Sequence, residues 1–171
     1  MHLRAATCLA ALFIAACASL PAPLPRLAAA PADFEVSGRL AVRQGDRSDI
    51  AKLRWTRKGL RDSWVIASPL GNEVARLESG ANGATLERAG AAPESAESFR
   101  ALTERVLGVP LDPDEMAGWL HGVPASGAGE WKVSVDQTQR AGNVDLAKRI
   151  TATRGDVVVR LIVDEYRALG Q

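Results

Sequence analysis

From Phe34 onward, apolar or small residues fall on every second position. Phe34, Val36, Gly38, Leu40 and Val42 share one face of an extended chain, and Ala51, Leu53 and Trp55 share one face of the next. A helix would scatter these positions around its axis, whereas a strand collects them on one side. Gln44, Gly45 and Asp46 supply turn chemistry between the two runs. Residues 64–67, 74–77 and 84–88 read as three further short strands, separated by Gly, Asn and Asp. The pattern predicts an antiparallel meander.

The period then changes. Phe99, Leu102, Val106 and Leu107 follow helical spacing, and Gly108 with Pro110 stops that helix. Asp112 fits an N-cap, with Pro113 at the first helical position and Glu115 in the first turn. Met116, Trp119 and Leu120 share a face, and Gly122 and Pro124 end the segment. Strands resume at 131–135, around 148–153 and at 157–164, the last with Val157, Val159, Leu161 and Val163 on one side and Arg160 and Asp164 on the other. Strands, two short helices and strands again make an α+β layout, a curved antiparallel sheet covered by helices on one side. Pattern alone leaves two readings of those helices, an ordinary packed core or a lid over an apolar concavity.

The segment before Phe34 reads as targeting rather than fold. His2 and Arg4 precede an apolar run from Ala5 to Ala16, too short and alanine-rich for a membrane span. It ends in Ile14, Ala15, Ala16 and Cys17, which resembles the lipobox of bacterial lipoproteins. That resemblance implies a signal peptide over 1–16, cleavage before Cys17, and diacylglycerol plus an N-acyl chain on that cysteine. Ala18 in place of Asp suggests export to the outer membrane. Residues 17–33, rich in Pro and Ala, read as the lipidated cysteine and an extended tether. Residues 34–171 remain for one domain.

Removing residues 1–16 deletes one Arg and no acid, so 20 basic side chains face 20 acidic ones. This balance offers no overall electrostatic footprint for nucleic acid or an anionic surface. With Cys8 in the removed segment, Cys17 has no partner for an internal disulfide. No catalytic constellation is recognisable. His121 is the one histidine left, and a helix C-terminus suits a partly charged imidazole there. There is no Gly-x-Ser-x-Gly and no metal-ligand spacing, and Asp112, Asp114 and Glu115 suit a helix start. We therefore expect no enzyme, no metal and no cofactor beyond the covalent lipid. Pro69, Leu70 and Gly71 join two strands. Pro69 and Gly71 are turn residues, but Leu70 is not: it either folds back on the core or projects as an apolar probe.

Six segments then carry a resemblance: FEVSGRLAVR at 34–43, LRW at 53–55, WVIASPLG at 64–71, VARL at 74–77, WLHGVP at 119–124 and VRLIVD at 159–164. In this order they resemble the LolB family of outer-membrane lipoproteins, over nearly the whole domain. The resemblance implies an unclosed, strongly curved antiparallel β-barrel with helices as a lid over a hydrophobic cavity. It implies that a monomer facing the periplasm takes acylated lipoprotein cargo from a LolA-like carrier and inserts it into outer-membrane lipid. Leu70, flanked by Pro69 and Gly71, matches the family's membrane-insertion loop. With facing taken from period two, the candidate acyl-cavity residues are Leu40, Val42, Leu53, Trp55, Ile66, Leu77, Trp119 and Leu161. The chain is shorter than enteric members, with trimmed loops around 125–145, which leaves the carrier-docking surface unassigned. The competing expectation is a structural outer-membrane lipoprotein that binds an envelope partner and carries no lipid cargo.

Overall fold

The computed structural model describes residues 31–122, 131–142 and 144–170. The expected signal peptide, Cys17 and residues 18–30 of the tether lie outside them. Nine antiparallel strands form one sheet: β1 (Phe34–Gln44), β2 (Arg47–Lys58), β3 (Arg61–Ala67), β4 (Glu73–Gly80), β5 (Gly83–Glu87), β6 (Glu94–Ala96), β7 (Lys132–Ala141), β8 (Val144–Arg154) and β9 (Val157–Ala168). The order is β6-β5-β4-β3-β2-β1-β9-β8-β7, so the first and last strands pair in the middle and β6 and β7 are the two edges. The barrel is unclosed. Helices α1 (Phe99–Leu107) and α2 (Pro113–Leu120) lie in the connection from one edge to the other. That connection must cross the sheet, which is why the helices cover one face: α1 contacts β4, β5 and β6, while α2 contacts β8.

The alternation places Phe34, Val36, Leu40 and Val42 of β1, Leu53 and Trp55 of β2, and Val157, Val159, Leu161 and Val163 of β9 in the buried core. Several strands differ from the sequence reading, with β8 starting at Val144 and β9 running on to Ala168. Three-residue β6 is too short to show a period, and β7 runs on to Ala141, through part of the stretch expected as trimmed loop. A register shift between Ser37 and Gly38 bends β1 against β9. Gly38 is required there, because a Cβ would lie 2.0 Å from the Ile162 carbonyl oxygen.

Both helices start and stop chemically. The Ser98 hydroxyl accepts the Ala101 N–H at 3.1 Å, a cap the sequence reading missed. Gly108 takes the left-handed conformation (φ 72°) and donates its N–H to Glu104. The Asp112 carboxylate accepts the N–H groups of Asp114 and Glu115 at 2.8 and 3.2 Å, as the Asp-Pro signature predicts. Buried Thr103 Oγ1 accepts the Leu111 N–H at 2.8 Å and fixes the bend between the helices.

Candidate functional site: an apolar groove beside an exposed leucine

The centre of the concave face is closed by aromatic edge contacts. Phe34 meets Trp55 at 4.9 Å, Trp55 meets Trp64 at 5.8 Å, and Trp64 meets Phe99 of α1 at 4.8 Å, as centroid separations. Beyond this cluster the surface opens into a groove of about 360 Å³. Its floor is Leu40, Val42, Ile66, Ala75 and Leu77, with Val106 and Leu107 of α1 as the wall. Ile50 and Val74 form the rim and are exposed by 64% and 46%. Charge is confined to the margin at Arg47, Asp49 and Arg88, with Arg47 paired to Asp49 at 2.8 Å. An interior of this composition can solvate hydrocarbon and can offer little to a polar ligand.

Four of the eight residues expected to line a cavity, Leu40, Val42, Ile66 and Leu77, come together in this groove. Leu53, Trp55 and Leu161 point to the same side of the sheet and Trp119 comes from α2, but all four are packed into the core and none lines the groove. Period two gives a face and not a depth, so it could not separate the two sets. Val106 and Leu107 did carry a signal, their helical spacing. Ala51 carried one too, since it shares the inward face of its strand with Leu53 and Trp55, whereas Ala75 carried none and matters by being small.

Leu70 does not fold back on the core: it is 90% exposed. Its loop is closed by Gly71 N–H to the Ser68 carbonyl and Ser68 N–H to the Asn72 carbonyl, both 2.8 Å. Gly71 has φ 95°, which a side chain would strain. Ile66 pairs with Ala75 just before this loop, so Leu70 projects from the end of the sheet where the groove is rimmed.

Two polar networks fasten α2. Buried Asp62 accepts the Trp55 indole N–H at 2.6 Å and two N–H bonds from Arg57 at 2.9 and 2.8 Å. Arg57 also reaches Asp114 of α2. Burial alone would lower the Arg57 pKa, but Asp62 and then Asp114 outweigh it and hold it above the ordinary value. At the other end of α2, His121 is fully buried. A carbonyl can only accept, so Nδ1–H donates to Ala117 O at 2.8 Å, and in the neutral ring that burial favours Nε2 is left to accept the Tyr166 hydroxyl at 3.1 Å. The expectation of a partly charged imidazole is therefore corrected. Burial lowers the His121 pKa and the positive charge of Arg57 adds to this, against the opposing bond to Ala117. The Tyr166 hydroxyl is pushed up to about 12 by burial.

An unclosed antiparallel half-barrel with an apolar groove under one of its covering helices defines a class of fold suited to holding an apolar ligand. A family model described as "Outer membrane lipoprotein LolB" matches residues 32–166, and the chain belongs to the LolB family. This is a family of lipoprotein-trafficking receptors and not of enzymes. The outer-membrane lipoprotein LolB of Azoarcus sp. strain BH72 is 29% identical, over 98% of this chain and 96% of that protein. The LolB of Chromobacterium violaceum is 33% identical, over 92% and 94%. Among solved structures, a DUF1329 family protein from Desulfovibrio piger shares the fold at a TM-score of 0.51 and 8% identity, over 82% of this chain and 88% of that one. Among the described residues no helix is long and apolar enough to cross a membrane.

Proposed function

We propose that this chain accepts acylated lipoproteins from a soluble LolA-like carrier in the periplasm and places them in the outer membrane, to which it is itself held by acyl chains on Cys17. The observation that carries the reading is the apolar groove between the sheet and α1, beside the exposed Leu70. Each buried acyl methylene contributes about 0.8 kcal/mol, so a lipoprotein with several long chains does not cross water unaided on a useful timescale. A sheathing cavity is the physical requirement, and the transfer needs no nucleotide. A receiver that binds about 1.4 kcal/mol more favourably than the donor already biases the cargo tenfold.

At about 360 Å³ the groove is at the small end of ligand pockets. A full acyl load then requires α1 to swing away from β4, β5 and β6, uncovering core side chains such as Leu102 and Trp64. Leu70 supplies an apolar contact with the target bilayer at the same end of the sheet. The test is to mix a carrier–lipoprotein complex with the full chain carrying Cys17→Ala and to follow the cargo. Transfer to this chain is expected. Cargo left wholly on the carrier would overturn the reading, and tight binding to an envelope complex without cargo would favour the structural lipoprotein instead.

A further inference from the structure

The outer face of the sheet carries a feature that balanced whole-chain charge conceals. The alternation that sends apolar residues inward sends Arg39 and Arg43 of β1, Lys52 and Arg54 of β2 and Arg160 of β9 outward. Register brings them together. Arg39 lies directly across from Lys52, and Ala41 lies between Ile50 on one side and Arg160 on the other. Like charges placed directly opposite destabilise a sheet. Arg39 is relieved by Asp164 at 3.0 Å, and the nearby Glu73 is taken up by Arg76 at 3.0 Å. Lys52 and Arg54 have no carboxylate partner among the described residues. Arg39, Lys52 and Arg54 line an open depression of about 600 Å³ whose far wall is Gly71 and Glu73, beside Leu70.

The position is specific. Lys52 pairs with Ala67, three residues before Leu70. Arg54 pairs with Val65, so at about 3.3 Å per residue these bases stand at most roughly 10–17 Å behind the apolar tip. An apolar tip that enters the acyl boundary by about 5–10 Å puts groups at that distance among the phosphates. Ile50, 64% exposed and on the outward side of β2 by alternation, adds apolar surface beside them. Bases set back from exposed apolar side chains are the signature of a surface that docks on anionic lipid.

We infer that this outward face, centred on Lys52 and Arg54, binds the phosphate headgroups of anionic phospholipids and orients the Leu70 end toward the bilayer. The inference rests on the membrane-delivery reading above and adds the lipid class it recognises.

The test uses the full chain carrying Cys17→Ala, so that the N-terminal segment is common to all samples. Partition is measured onto vesicles of phosphatidylcholine alone and of equal parts phosphatidylcholine and phosphatidylglycerol. Each juxtamembrane base shifts partition about 5-fold, so Lys52→Gln with Arg54→Gln should weaken binding to the anionic vesicles about 30-fold and leave binding to the neutral ones unchanged. The charge-retaining pair Lys52→Arg with Arg54→Lys should bind like the parent, which excludes a folding effect. Unaltered binding by the double Gln variant overturns the inference. So does displacement from anionic vesicles by inorganic phosphate at matched ionic strength, which would assign the site to soluble phosphate. Loss of affinity for the carrier alone, with vesicle binding intact, assigns the face to an acidic protein and also overturns it. Cargo acceptance from the carrier is scored separately, so failure of the delivery reading and failure of this one are distinguishable.

Discussion

Arg57 joins the sheet to the helix that covers it, with Nη2 2.8 Å from Asp114 Oδ1 on α2. The same nitrogen is 2.8 Å from Asp62 Oδ2 within the sheet. The two partners differ in burial: the side chain of Asp62 is 4% exposed and that of Asp114 is 82% exposed.

That difference decides what each contributes. An exposed ion pair is worth about 0–1 kcal/mol, because water and salt screen it. Removing one partner of a buried pair costs about 3–5 kcal/mol, because the other charge is left without compensation. Urea denaturation should therefore show a large drop in midpoint for Arg57→Met and a small one for Asp114→Ala. Equal losses would show that the tie to α2, not the buried pair, carries the stability.

His121 makes stability depend on pH. Its folded pKa lies below the ordinary 6.5, chiefly because burial disfavours the imidazolium. As pH falls below 6.5 the unfolded chain binds this proton before the folded chain does. Stability is thus fully present above that value and declines on acidification, with a slope of up to about 1.4 kcal/mol per pH unit until the folded pKa is reached. His121→Gln should flatten this part of the profile in urea titrations run at successive pH values. An unchanged slope would place the dependence on carboxylates elsewhere.

Much of this was legible in the sequence. Alternation located the long strands and their inward faces, Asp112 with Pro113 marked a helix start, and Leu70 stood out as a non-turn residue in a turn. What stayed hidden depends on contacts between distant positions. The His121 pKa is lowered chiefly because the packed core buries the ring, against which Tyr166 closes from 45 residues away in sequence. Leu77 lines the groove while Leu53 does not, although both point inward and are equally buried. Net charge suggested no anionic footprint, yet register gathers outward bases from three strands. A sum over the chain carries no information about which face each charge occupies.

The small floor residues give a direct probe of the groove. Ala75 is half-buried and pairs with Ile66, with open volume above it. Ala75→Phe should fill that volume with little change in stability, within about 1 kcal/mol, because the ring displaces space and not packed atoms. Binding of a fluorescent acyl probe should fall about tenfold, or about 1.4 kcal/mol. Undiminished binding would mean that the acyl chains enter elsewhere.

Gly38 should tolerate no side chain. The atom 2.0 Å from where a Cβ would stand is the backbone oxygen of Ile162, which cannot rotate away. Gly38→Ala should lose about 3 kcal/mol or fail to fold. Gly80→Ala, where nothing lies within 4 Å, should stay within about 0.5 kcal/mol. Thermal melts of the two variants side by side would check both.

Two exposed leucines separate a general surface effect from a positioned one. Leu60 is 88% exposed and Leu70 is 90% exposed. They sit in the turns before and after β3, hence at opposite ends of that strand. Neither contributes to the core, so Leu60→Glu and Leu70→Glu should each change stability by no more than about 0.5 kcal/mol. The groove rim lies at the Leu70 end, whereas Leu60 is flanked by Lys58 and Arg61 and lies away from the groove. Leu70→Glu should therefore keep cargo acceptance and abolish delivery to vesicles, since a carboxylate at that tip opposes contact with hydrocarbon. Leu60→Glu should deliver like the parent chain. Delivery assays that respond equally to both changes would remove the positional role of Leu70 and leave only a general dependence on exposed apolar surface.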